Sequence, residues 1–128
     1  MKKTNPEVLL QNILERDPRY TVDAYLFVRS GLDFTVRRLE KPRHVSGQEL
    51  LDGIREFALA EFGPMTKTVL NKWGISRTED VGEIVFNMVE AGLLGKTSDD
   101  RREDFMNGYD FDEAFLKPFR PAEHMKTK

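Results

Sequence analysis

The chain has 128 residues, with 20 basic and 22 acidic side chains for a formal charge of −2, 39% apolar and 33% charged residues, and no cysteine. That length supports one domain, in which folding buries roughly two-thirds of the unfolded surface, and nine phenylalanines are too apolar a load for a disordered tail. Without cysteine, disulfide scaffolds, zinc ribbons, iron–sulfur clusters and thiol catalysis are excluded.

No stretch approaches the roughly 18 apolar residues of a spanning helix. Met1-Lys2-Lys3 opens like a signal peptide, but Asn5, Pro6 and Glu7 stand where an apolar segment should begin. With no membrane segment and no address, the expected location is the cytoplasm. Charge is balanced over residues 1–64, ten against ten, and leans acidic over 65–128, ten against twelve.

Asn5 as cap, Pro6 at the first helical position and Glu7 behind it predict a first helix, with Leu9, Leu10, Ile13 and Leu14 at four-residue spacing and a stop at Asp17-Pro18. A second helix is expected from about Thr21 to Glu40, with Tyr25, Val28, Leu32, Val36 and Leu39 on one stripe that Phe27 and Phe34 widen. Gly31 in its middle either weakens the helix or marks a close helix contact. A third helix opens on Ser46-Gly47-Gln48-Glu49, a capping-box pattern, and ends at Gly63-Pro64. A short fourth helix covers about Met65 to Trp73 and closes at Gly74. Ser76-Arg77-Thr78-Glu79 repeats the capping-box pattern and starts a fifth, which ends at Ala91-Gly92.

Beyond Leu94 the periodicity changes. Leu93 to Thr97 reads as a short strand, Ser98 to Arg102 as a polar tip, and Glu103 to Met106 as a returning strand. Asn107-Gly108 is a tight-turn signal, and Tyr109, Phe111 and Phe115 continue as a third strand or a short helix. The expected fold class is mainly α with a small β-hairpin: a winged helix-like domain over 43–117, an N-terminal helical pair over 1–42 and a flexible tail over 118–128, all in one compact unit. The alternative is an unrelated five-helix bundle carrying an acidic loop.

Two resemblances accompany this order of elements. The run Val89-Glu90-Ala91-Gly92-Leu93-Leu94 followed by Asp99-Asp100-Arg101-Arg102 resembles the last helix and wing of helix-turn-helix repressors of the multiple-antibiotic-resistance type. From Asp17 to Phe115 the chain is also similar to an uncharacterised family of short bacterial proteins from planctomycetes and verrucomicrobia. That second likeness rests on Ala24-Tyr25-Leu26-Phe27-Val28, His44-Val45-Ser46-Gly47-Gln48-Glu49-Leu50, Phe62-Gly63-Pro64-Met65, Trp73-Gly74-Ile75, Gly82-Glu83-Ile84-Val85-Phe86, Asp104-Phe105 and Tyr109-Asp110-Phe111. It implies no activity and no site residues.

In a winged helix the fifth helix would enter a DNA groove, where phosphates demand Lys or Arg. Its outward side instead offers Glu79, Glu83, Asn87 and Glu90, which reads first as a solvated acidic face, then as a protein-docking face, and last as a reader of DNA. Arg77, Arg101 and Arg102 are the candidate phosphate contacts of a DNA-binding alternative. Arg37, Arg38, Lys41 and Arg43, beside His44, form the one basic cluster, suited to phosphate or an acidic partner, or simply to offsetting a helix dipole.

Chemistry is sparse. Gly92 to Thr97 lacks the register and the strand-before-helix order of a phosphate loop. The seven carboxylates from Asp99 to Glu113 do not follow a calcium-loop spacing. His44 and His124 have no zinc-ligand spacing, and no serine sits in a nucleophile elbow. No catalytic, cofactor or metal residue is assigned, and an enzyme or metal-binding protein using the acidic hairpin is the third reading. Tyr25 and Phe27 lie on neighbouring faces of the second helix, so that helix is either buried on several sides or forms a dimer seam. The expectation is a non-catalytic binding module for protein–protein interaction in regulation or assembly, with a protein partner, nucleic acid disfavoured, no cofactor, and self-association through the second helix.

Overall fold

The computed structural model describes residues 5–95 and 101–120, and among them it contains five α-helices and no strand. The helices are α1 (Pro6–Arg16), α2 (Val22–Arg37), α3 (Gly47–Phe62), α4 (Thr66–Lys72) and α5 (Thr78–Ala91). Short helical turns follow at Arg102–Phe105, Asp112–Leu116 and Lys117–Phe119.

The starts of the first three helices are where local chemistry places them. Asn5 Oδ1 accepts from the Glu7 amide at 2.7 Å, and Thr21 Oγ1 accepts from Ala24 at 3.3 Å. Ser46 Oγ accepts from the Glu49 amide at 3.1 Å while the Glu49 carboxylate accepts from the Ser46 amide at 2.8 Å, closing the capping box. The start of α5 differs from the sequence pattern. Asp80, rather than Glu79, receives the Ser76 amide at 2.9 Å and the Arg77 amide at 3.2 Å. The helix therefore begins one residue later than a Ser76 cap would dictate.

α2 and α3 make the most extensive helix–helix contact of the described residues. Glycine on each helix allows it: a Cβ on Gly31 would strike Ile54, and a Cβ on Gly53 would strike the Thr35 hydroxyl, which donates to the Gly31 carbonyl at 2.8 Å. α5 packs against both α1 and α2. The core is contributed by all five helices and by the C-terminal turns, through Ile13, Tyr25, Val28, Leu51, Ile54, Leu70, Ile84 and Phe115. The α2–α3 contact spans the expected boundary at residues 42 and 43.

The winged helix and its β-hairpin are corrected by the structure. Gly92, at φ +91°, turns the chain out of α5, and the amides of Leu93 and Leu94 close back on the Met88 carbonyl at 2.8 and 3.3 Å. Those amides are spent on the helix exit rather than on a ladder. The expected returning strand is a 3-10 turn whose backbone is also taken: Thr78 Oγ1 donates to the Phe105 carbonyl at 2.7 Å and accepts from the Gly108 amide at 3.0 Å. The Asn107 amide donates to Glu79 at 3.1 Å. Every one of these contacts ties the segment to the first turn of α5. Residues 96–100, which hold most of the expected wing tip, and residues 121–128 of the expected tail lie outside the described residues.

Phe105 anchors this segment. It is buried, packs edge-on to Phe86 at 6.1 Å between centroids, and fills notches left by Gly47 and Gly82, where a Cβ would come within 3.1 and 2.8 Å of its atoms. Tyr109, Phe111 and Phe115 then form an aromatic cluster instead of a third strand, with Phe111 and Phe115 at 4.9 Å. The Tyr109 hydroxyl donates to the Leu51 carbonyl at 2.9 Å, which fastens the C-terminal turns to α3.

Candidate docking surface and the polar side of α5

The polar side of α5 faces the link between α1 and α2. Asn87 is buried, and its Nδ2 donates to Asp17 Oδ2 and to the Tyr25 hydroxyl oxygen, both at 3.0 Å. Arg19 clasps Asp17 with two hydrogen bonds of 2.9 and 2.7 Å and lies 3.5 Å from Glu83. Glu83 is also 3.5 Å from Arg102, whose guanidinium stacks over Phe86. Tyr20 donates to Asp80 at 2.6 Å. Glu79 is half-buried and holds the Asn107 amide, while Glu90 is exposed and only 3.6 Å from Arg16.

All four residues expected to form an outward acidic face therefore have partners within the molecule, and of them Glu90, paired with Arg16, is the exposed one. The sequence read α5 as having one buried stripe, but the α1–α2 link and the 102–105 turn cover its second side. Polar residues there satisfy one another, and no buried side-chain nitrogen or oxygen among the described residues lacks a hydrogen-bond partner.

The electrostatics follow this arrangement. Hydrogen bonds from Arg19, and then from Asn87, hold the Asp17 carboxyl well below the usual carboxylate range. Burial, followed by the hydrogen bond to Asp80, pushes the Tyr20 hydroxyl upward, and burial raises that of Tyr25 as well. These groups keep fixed protonation states at neutral pH and hold the elements together.

The expected basic residues are partly spent on ion pairs. Arg38 pairs with Glu56 at 3.1 Å and lies over Phe34, and Arg43 pairs with Glu49 at 2.9 Å. That pairing, with the Ser46 amide, lowers the Glu49 carboxyl to about 2. Arg101 is 4.0 Å from Asp104, and Arg37, Lys41 and Arg77 are exposed. Among the described residues no cluster of three His, Asp or Glu side chains could hold a metal ion, and no helix is long and apolar enough to cross a membrane.

The surface that stands out is the outward face of α2. Leu26 is 54% exposed and Val22, one turn earlier, is 40% exposed. Leu26 forms a ridge between two apolar grooves. One, of about 210 Å³, is walled by Phe27, Phe57, Phe62 and Trp73; the other, of about 230 Å³, is walled by Leu10, Tyr25, Met88 and Leu93. The aromatic wall is closely packed, with Phe27, Phe62 and Trp73 mutually 5.6 to 5.9 Å apart. A further apolar cavity of about 200 Å³ lies between α2, α3 and α5, with Arg43 and His44 at its rim.

Sequence reasoning did not single out Val22 and Leu26 as surface residues. The signal was the surplus of apolar positions on the second helix: Tyr25, Val28 and Leu32 fill one face and Phe27 a second, leaving Val22 and Leu26 a third. Comparison of the chain with family models, curated proteins and solved structures gave no match.

Proposed function

We propose that this chain is a non-catalytic protein-docking module whose contact surface is the outward face of α2. The observation that carries the reading is Leu26 standing between two apolar grooves with Val22 beside it. Contiguous apolar surface with concave flanks is what a partner's side chains desolvate, and anchors in such grooves carry most of an interface's energy. The rim is charged, with Asp23, Arg29 and Asp33 exposed around the ridge, as docking surfaces are. The partner face expected at Glu79, Glu83, Asn87 and Glu90 draws less support, since its members are mostly spent on Asp17, Tyr25, Arg19 and Arg102.

DNA contact through Arg77, Arg101 and Arg102 also draws less support. Arg102 lies 3.5 Å from Glu83, Arg101 lies 4.0 Å from Asp104, and the winged fold that this reading presupposed is absent from the described residues.

Photo-crosslinking in native cells separates these surfaces. Benzoylphenylalanine in place of Val22 should give discrete protein adducts that disappear when Leu26→Glu is added, and the same probe in place of Glu90 should give none. Adducts from position 90 alone, or adducts from position 22 that survive Leu26→Glu, would overturn the reading.

A further inference from the structure

We propose that Asn107 is a self-modification site. Its side-chain amide is lost by attack of the Gly108 backbone nitrogen, and Thr78 holds that reaction shut until the Arg102–Phe105 turn comes off α5. Of the five asparagines in the chain, Asn107 alone is followed by glycine. Packing dictates both residues. Asn107 has a φ of +52°, a backbone region that asparagine adopts more readily than most side chains. A Cβ on Gly108 would come within 2.7 Å of Leu51 Cδ1 and 3.2 Å of Thr78, so the position excludes a larger residue. The turn thereby sets the least hindered kind of backbone nitrogen next to an exposed asparagine.

The chemistry needs only water. The Gly108 nitrogen gives up its proton and bonds to Asn107 Cγ. The Cγ–Nδ2 bond breaks, and the side-chain nitrogen leaves as ammonia, carrying that proton. Water then opens the cyclic imide at one carbonyl or the other, which leaves an aspartyl or an isoaspartyl link. Nothing is oxidised or reduced.

In the folded chain the attacking nitrogen is committed. The Gly108 amide donates to Thr78 Oγ1 at 3.0 Å, and buried Thr78 spends its own hydroxyl proton on the Phe105 carbonyl at 2.7 Å. Thr78 cannot turn that proton toward a deprotonated nitrogen without leaving the Phe105 carbonyl unpaired. On the other side of the asparagine, the Asn107 amide donates to Glu79 at 3.1 Å, which sets a carboxylate where a second negative charge would form. Reaction therefore waits for local opening of this segment. Afterwards neither product fits back. The isoaspartyl link lengthens the backbone between the two anchored amides by one carbon, and the aspartyl link adds a carboxylate near Glu79. A transient release of Phe105 is thereby made permanent.

Peptide mapping by mass spectrometry, with the full chain held at mildly alkaline pH, tests this. Asn107 should deamidate at least about tenfold more slowly in the native chain than in the urea-unfolded chain. Exchange of the Gly108 amide hydrogen requires the same release from Thr78, so its protection should match the slowing of deamidation within about threefold. Thr78→Val, which removes the hydroxyl and keeps the shape, should raise the native rate about tenfold, and Thr78→Ser should leave it near wild type. The deamidated chain, separated by ion exchange, should unfold at a lower urea concentration than its parent. Equal rates in the folded and unfolded wild-type chain, an unprotected Gly108 amide, or a deamidated chain as stable as its parent would overturn the inference. A folded Thr78→Val chain that deamidates no faster than wild type would overturn it as well. If Thr78→Val does not fold, the match between exchange and deamidation in the wild-type chain decides.

Discussion

Asn87 on α5 donates a 3.0 Å hydrogen bond to Asp17, the residue that ends α1, and a second of the same length to Tyr25 on α2. One side chain thereby joins three helices. An exposed asparagine on a solvated helix face would do nothing of the kind, and this contact explains why α5 presents so little of its polar side outward.

Asn87→Leu should destabilise the fold by about 1 to 3 kcal/mol, because it leaves a buried tyrosine oxygen and a carboxylate short of a donor. Glu90→Ala, whose ion pair with Arg16 is 3.6 Å long and exposed at both ends, should change stability by less than about 0.5 kcal/mol. Urea denaturation of the two variants checks the contrast. Equal effects would mean that Asn87 is not the joint.

Acid should weaken the fold through the same joint. Asp17 is held below the ordinary carboxylate range by Arg19 first, and Glu49 is held at about 2 by Arg43 first. Both folded values lie below the unfolded value of about 4, so the stability they confer is fully present above about pH 4. It is lost as the pH falls through the folded values. Denaturation midpoints should hold steady near neutrality and decline below about pH 4, and Asp17→Asn should reduce the decline. An identical acid slope in that variant would remove Asp17 from the explanation.

The hydroxyls make a complementary statement at high pH. The chain has three tyrosines, and burial raises all of them, Tyr20, Tyr25 and Tyr109, above their ordinary value. Stability from a raised group is present below the unfolded value of about 10 and is lost as the pH rises toward the folded one. Absorbance titration of the native chain should show little tyrosinate at about pH 10, with ionisation arriving together with unfolding above it. Ordinary titration of even one tyrosine in the folded state would contradict its burial.

How much was legible in the sequence follows from the range of each interaction. The capping box of Ser46 and Glu49 and the cap at Thr21 reach three residues along the chain and the cap at Asn5 reaches two; local chemistry decides them and local reading finds them. The start of α5 shifted because Asp80 also receives the Tyr20 hydroxyl from 60 positions away, a partner no local pattern contains. The hairpin failed for a related reason. Asn107 does take a positive φ of 52°, as a turn residue would, but the turn folds onto Thr78 and Glu79 rather than between two strands. Likewise, the α5 face looked open because what covers it comes from Asp17, Arg19 and Arg102.

Phe105 separates the two folds directly. In a wing it would serve the hairpin, whereas here it fills the notches at Gly47 and Gly82. Phe105→Ala should cost about 3 to 5 kcal/mol, read by thermal or chemical denaturation. Gly53→Ala, which would drive a methyl into Thr35, should cost about 1 to 3 kcal/mol by overpacking the α2–α3 crossing. A neutral effect of either would place the contact elsewhere.

The central claim is that the outward face of α2 docks a protein while the rest of the molecule only holds that face in place. Leu26→Glu tests it most directly when association and melting temperature are measured on the same sample series. The account predicts that association is lost while the melting temperature at high dilution matches the wild-type chain, because Leu26 is already 54% exposed. Association that survives the substitution would contradict it.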